Sequence, residues 1–155
     1  MSKSLARVEA ALREAGIASE IREMGDTRTA ADAAAAVGCA LDQIAKSIIF
    51  RGESSGHVVL FLTAGGNRVD AKKAAELAGE PLGKADAALI RAETGFAIGG
   101  VAPLGHLSPV AAYLDPRLTE FARVWAAAGT PRHVFAISPD DLMRVSGARA
   151  ADFTA

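Results

Sequence analysis

The chain has 155 residues and a formal net charge of −1, from 17 basic and 18 acidic side chains. That length fits one domain, spanning 1–155. The near-balance of charge excludes a protein that coats nucleic acid non-specifically, a task that takes a strongly basic domain. Half of the residues are hydrophobic, but 35 are alanine, so the core must rest on the Leu, Ile, Val and Phe positions. A chain this long buries about 70% of its unfolded surface, and its stability needs neither metal nor disulfide. The single cysteine, Cys39, can form no internal bridge, which suits a reducing compartment. No apolar run approaches the roughly 20 residues of a membrane span, and residues 1–13 lack the apolar centre of a signal peptide. The expectation is a cytoplasmic domain with no membrane partner.

In chain order, Ser4 opens a helical pattern with Leu5, Val8, Leu12 and Ala15 on one face, closed by Gly16. Residues 17–24 read as a short edge strand. Thr29, with Asp32 three residues on, resembles a capping box ahead of an alanine-rich helix that stops at Gly38. One more helical turn is expected over 41–45. Residues 45–51 are strand-like, and 58–63 form a continuous apolar run suited to a strand covered on both faces. The polar turn between them, 52–56, makes the two a hairpin.

After the Gly65-Gly66-Asn67 turn, Asp70 caps a helix with Leu77 inward and Gly79 as its stop. A second short helix is expected over 85–92. Residues 95–105 hold four of the fifteen glycines and a proline, and read as a shaped loop with strand on either side. Strands follow over 110–114, 124–128 and 133–137. Ser138-Pro139-Asp140-Asp141 then starts a last helix, with a capping serine, proline at the first helical position and early acids. The pattern is a mixed α/β domain, its strands mostly in hairpins.

Three features carry chemistry. Alternation along a strand puts Lys46 on one face with Ile48 and Phe50, while Ser47, Ile49 and Arg51 point the other way. A lysine on an apolar face either snorkels past the strand end or rims a pocket for a carboxylate, a phosphate or a reacting carbonyl. Next, Gly99-Gly100 lies in a loop that runs to Gly105 and His106. Paired glycines let consecutive N–H groups converge on an anionic oxygen, although a simple bulge has the same signature. The spacing matches neither a P-loop nor a dinucleotide fingerprint. The third feature is a basic cluster of Arg68, Lys72 and Lys73, joined by Lys84 and Arg91. Cations at a helix start oppose its dipole, so this placement suits phosphate contact, or equally a solvated face. His57, His106 and His133 are dispersed and lack metal-ligand spacing; no metal or other cofactor is expected. No helix has a basic reading face for DNA.

Taken together, Ala45-Lys46-Ser47-Ile48-Ile49-Phe50, the Gly99-Gly100-Val101-Ala102-Pro103-Leu104-Gly105 loop and the Asp115 region resemble the YbaK family, the prolyl-tRNA-synthetase-associated editing domains. The resemblance runs over nearly the whole chain. It implies a single α/β domain with a mixed, barrel-like sheet and surrounding helices. It also implies a trans-acting deacylase that hydrolyses the ester of mischarged tRNA, with tRNA for proline and prolyl-tRNA synthetase as expected partners. Lys46, Gly99 and Gly100 then fall on the catalytic positions. Ile48, Phe50, Ala102, Pro103, Gly105, His106 and Asp115 fall on the substrate-binding ones, and Arg68, Lys72 and Lys73 are the expected tRNA contacts. Several relatives carry serine where this chain has Ala102, so a polarising hydroxyl is absent there. A subgroup directed at alanyl-tRNA has asparagine where this chain has Ser47, which shifts the expectation to cysteinyl or another small aminoacyl group. The alternative is a non-catalytic tRNA- or synthetase-binding module using the same pocket.

Overall fold

In the computed structural model, which describes residues 2–25 and 27–155, Ser2 rather than Ser4 caps the first helix, accepting from the Leu5 N–H. This helix, α1 (Lys3–Glu14), buries Val8 and Leu12, one turn apart on a single face. Among the described residues, strand β1 (Ile21–Glu23) pairs only with β7 (His133–Ile137) and is an edge, as its short run implied. Helix α2 (Ala30–Val37) starts where Thr29 accepts from the Asp32 N–H and stops at Gly38. The turn at Leu41–Gln43 leads into β2 (Ile44–Gly52), which returns as β3 (Val58–Ala64) in the expected hairpin. Asp70 caps α3 (Ala71–Ala78) by accepting from the N–H groups of Lys72 and Lys73.

Beyond this point the chain departs from its sequence pattern. Leu82–Lys84 form a strand, β4, that no alternation announces, paired to the far end of β2. The glycine-rich loop is preceded by a helix, α4 (Ala87–Thr94), and not by a strand; β5 (Ala111–Leu114) follows it. A 3-10 turn, Pro116–Glu120, leads to β6 (Val124–Ala127), which forms the second hairpin with β7. Helix α5 (Pro139–Ser146), capped by Ser138, precedes a two-residue strand, β8 (Arg149–Ala150).

Among the described residues, eight strands make one mixed sheet in the order β1-β7-β6-β2-β3-β5-β8, with β4 also on β2. Hairpins account for only part of it. The β2–β6, β3–β5 and β5–β8 pairs are parallel, joined by long connections that local pattern does not reveal. Alternation along the strands divides the interior. Val58, Leu60, Leu62, Val124, Ala126, Phe135 and Ile137 face a main core completed by Val8 and Leu12 of α1, Ile90 of α4 and Leu142 of α5. On the opposite face, Trp125, Val134 and Ile44 pack on Ala33 and Ala34 of α2. Val59 and Phe61 pack there on Ala74 of α3 and on Phe153. Strand β3 is therefore buried along its whole length, covered on both sides as its apolar run required.

Candidate functional site

The far edge of β2 is shared by two neighbours. Strand β6 pairs with Ile44 and Ala45, and β4 with Phe50 to Gly52. Between them opens a cleft of about 480 Å³. Its floor is the central part of β2, residues 44–49, and its walls come from α2, β6, the 130–134 turn and the glycine-rich loop.

Lys46 lies in this floor, opposite Thr63 in the hairpin register. Its Nζ donates to the Asn67 carbonyl at 2.7 Å, which leaves two of its three N–H donors for a ligand. Burial pushes the ammonium below the ordinary lysine range and the nearby Arg68 charge adds to that, while Asp115 and Asp42 oppose it. Asn67 is itself held. Its side-chain amide donates to Asp115 Oδ2 at 2.9 Å, the same oxygen that accepts the Ala64 N–H at 3.1 Å. Asp115 Oδ1 accepts the Arg117 N–H at 2.9 Å. Asp42 fixes the same turn from the other side, accepting from Gly66 N–H and from the Arg117 guanidinium. Asp115 is thus a buried support for the Asn67 turn that holds Lys46, and it does not line the cleft.

The glycine-rich loop is tied at its ends and in its middle. Arg7 of α1 donates to the Gly95 carbonyl at 2.7 Å and to the Gly105 carbonyl at 2.8 Å, with its guanidinium 4.5 Å above the Phe96 ring. The Ser47 hydroxyl donates to Val101 O at 2.8 Å. Ala102 O lies 2.7 Å from His106 Nε2, so that nitrogen carries the proton. Burial pushes His106 below the ordinary histidine range. Ile98, Gly99 and Val101 line the cleft.

The two central glycines differ. Gly99 has φ +89°, a conformation that other residues adopt only with strain, and its N–H has no acceptor among the described residues. Gly100 donates its N–H to Ala97 O at 3.0 Å and does not line the cleft. A Cβ at Gly100 would stand 2.7 Å from the Thr130 carbonyl carbon. Gly100 therefore packs closely on the Thr130–Pro131 backbone with its N–H committed to Ala97 O, and of the two glycine N–H groups only that of Gly99 is left without an acceptor among the described residues.

Of the expected site residues, the cleft gathers Lys46, Ile48 and Gly99. Phe50 packs edge-on against Phe61, beyond the floor. Ala102, Pro103 and Gly105 are framework of the loop, and His106 faces Phe96 and Ala102 rather than the cleft. In the expected phosphate cluster, Lys73 is engaged by Asp152 at 3.2 Å and by Thr154 O at 2.9 Å; neither it, Lys72 nor Arg68 lines the cleft. Of the two cations expected beside that cluster, Lys84 does line it and Arg91 does not.

Local pattern missed the opposite wall. Trp125 and Val134 stand there beside Ala30 and Ala33 of α2, and Thr130 Oγ1 lies 2.6 Å from His133 Nδ1. Thr130 Oγ1 also accepts the Arg132 N–H at 3.1 Å, and His133 Nε2 lies 3.9 Å from Glu23. The one cue in the sequence was Thr130 and His133 flanking a turn. The charged side chains that line the cleft, Arg28, Lys46 and Lys84, are all basic; among the described residues no carboxylate does so. No group of three or more potential metal ligands occurs among them either.

An electropositive cleft with a partly buried lysine and an unsatisfied glycine N–H is suited to an ester joined to a polyanion. The family comparison agrees: residues 25–145 match the aminoacyl-tRNA editing domain. The chain belongs to this family. The editing domain is 46% identical, with a TM-score of 0.92, to a crystal structure described as a candidate trans-editing enzyme for prolyl-tRNA synthetase; the match covers 100% of this chain and 99% of that one. It is 29% identical, with a TM-score of 0.86, to the protein APE2540, over 96% of this chain and 99% of that one. The uncharacterised protein YwhH of Bacillus subtilis is 34% identical over 118 residues, 76% of this chain and 74% of its own. Membership in the editing-domain family implies a tRNA-borne substrate. Among the described residues, no helix is long and apolar enough to cross a membrane.

Proposed function

We propose that the protein is a trans-acting deacylase that hydrolyses the ester of mischarged tRNA, with tRNA for proline carrying cysteine or another small amino acid as its substrate. The observation that carries this reading is the Lys46 ammonium, held by Asn67 in the floor of a basic cleft with two donors unused, in a chain of the editing-domain family. An aminoacyl ester is already activated, so positioning and oxyanion stabilisation do most of the work. In the proposed step, water adds to the ester carbonyl carbon while Lys46 and the Gly99 N–H receive the developing negative charge. The carbon–oxygen bond to ribose then breaks, the ribose oxygen takes a proton, and free amino acid leaves. The ribose hydroxyl next to the ester, or an ordered water, relays the proton.

The apolar wall of Ile44, Ile48, Trp125 and Val134 sets the size limit for the aminoacyl side chain. Such a pocket discriminates by only about 10–200-fold per methylene, which is the range a second sieve supplies. Arg28 and Lys84 line the cleft and offer phosphate contacts there. Arg68 and Lys72 extend them, whereas Lys73 is occupied by Asp152. A panel of tRNAs for proline charged with alanine, cysteine or proline tests the reading. Fast release of the small non-cognate amino acids with sparing of proline is expected. Binding of every charged tRNA without release would replace the deacylase by a non-catalytic tRNA-binding module.

A further inference from the structure

The pairing on the far edge of β2 is interrupted over a short stretch, and that stretch is in the cleft floor. Gly52 N–H donates to His57 O and Gly52 O accepts from Gly56 N–H, both at 2.8 Å, so the even-numbered residues of β2 turn their N–H and C=O towards the β3 hairpin. Odd-numbered residues face the other edge, as Glu53 does in donating to Pro81 O at 2.9 Å. On that edge β6 stops at Ala45 and the β4 pairing begins at Phe50. Ser47 and Ile49 are the odd-numbered residues in this gap; the β6 register ends before Ser47, whose N–H and C=O face outward at a position that neither β6 nor β4 pairs. Its hydroxyl is committed to Val101 O, so what Ser47 offers the cleft is its main chain.

We propose that Ser47 recognises the aminoacyl group as a one-residue strand. An extended residue presents its N–H and C=O on the same side, and an opposed residue exchanges two hydrogen bonds with it. An aminoacyl ester carries the same pair of groups. The Ser47 carbonyl accepts from the α-nitrogen, which has a hydrogen to give in either protonation state, and the Ser47 N–H donates to the ester carbonyl oxygen. Two features favour this ligand over a peptide strand. The gap spans only residues 46–49, closed by β6 on one side and β4 on the other, which is short for a peptide strand. With no carboxylate among the described lining residues, a main-chain carbonyl is the acceptor at hand for an α-amino group. The same contact supplies the second oxyanion donor that Gly100 cannot, since its N–H is spent on Ala97 O. This inference rests on the cleft being an aminoacyl-ester site.

Two non-hydrolysable probes test it: adenosine bearing alanine on a 3′-amide, and its propionyl counterpart, which lacks only the α-amino group. Calorimetry on the whole protein is expected to show about 10- to 100-fold weaker binding of the propionyl probe, the range for a hydrogen bond to a charged or strongly polar group. Equal affinities would overturn the inference. As a second arm, Ser47→Pro deletes an N–H that β3 does not use, at a position where a strand edge tolerates proline. Against Ser47→Ala, which controls for the hydroxyl, Ser47→Pro is expected to lose about 100-fold in deacylation rate. Equal rates in the two variants would count against the oxyanion contact, and if the proline variant fails to fold, the probe pair still decides. The outcomes separate the two proposals. Release of amino acid from mischarged tRNA with equal probe affinities removes the Ser47 contact and keeps the deacylase. Selective probe binding with no release does the reverse.

Discussion

Asp115→Asn removes one charge and changes one atom, and its consequences divide between fold and chemistry. Asp115 is 2% exposed, and its two oxygens accept three N–H groups, from Ala64, Asn67 and Arg117. An asparagine can put its oxygen towards Ala64 and Asn67, but its amide hydrogens then meet the Arg117 N–H, and a buried donor loses its acceptor. That loss costs about 1–3 kcal/mol. At about 2–4 °C per kcal/mol for a chain of this size, melting should fall by about 2–12 °C, leaving the protein folded at room temperature. The chemical effect runs through Lys46. The Asp115 carboxylate is the first of the two charges that hold the lysine pKa up against burial and Arg68. Without it, the pKa falls further below its ordinary value of 10.5. If charged Lys46 polarises the ester, the alkaline limb of kcat/KM, after subtraction of uncatalysed hydrolysis, must move to lower pH while activity near neutrality changes less. A limb that stays in place, or moves to higher pH, would refute the Asp115–Asn67–Lys46 arrangement as the support of the reacting group.

Two further outcomes follow from the loop. Gly100→Ala drives a Cβ to 2.7–3.0 Å from Thr130 and Pro131 backbone atoms, so it should lose about 1–3 kcal/mol of stability by calorimetry and displace the wall that carries Thr130 and His133. Melting unchanged from wild type would mean that the Thr130–Pro131 turn yields freely. His106 is held neutral, below its ordinary 6.5, by burial, so the unfolded chain binds the extra proton first as pH falls. Stability contributed by neutral His106 is full above pH 6.5 and is lost below it. His106→Gln, which still donates to Ala102 O but does not titrate, should flatten that acid limb in urea melts; an unchanged limb would place the titration elsewhere.

Much of the fold was readable because local chemistry punctuates it. Thr29 and Gly38, Asp70 and Gly79, and Ser138 with Pro139 mark their helices at the positions observed. Alternation placed Lys46 on the face of Ile48 and Phe50, which pack with Phe61 as strand parity required. What was not readable depends on partners distant in sequence. Strand β4 is three residues with a central glycine and becomes a strand only against β2. The parallel pairs join segments separated by whole helices, so the gap that forms the cleft has no local signature. Trp125 and His133 enter the site because β6 returns beside β2, and Asp115 sits beneath Lys46 because β5 pairs with β3. The two members of the Gly-Gly pair differ in surroundings, Gly99 lining the cleft and Gly100 packed against Thr130 with its N–H on Ala97 O, a difference no local pattern carries.

The most direct test of the account is single-turnover release of amino acid from tRNA for proline charged with alanine or cysteine, by the wild-type protein and by Lys46→Ala. The wild type should release the amino acid well above the uncatalysed rate. Lys46→Ala should melt near the wild-type temperature and lose about 100- to 1,000-fold in rate, as expected for removal of a main oxyanion donor. A folded Lys46→Ala protein that deacylates at the wild-type rate would contradict the assignment of the reacting group, and a wild type that releases nothing would contradict the deacylase itself.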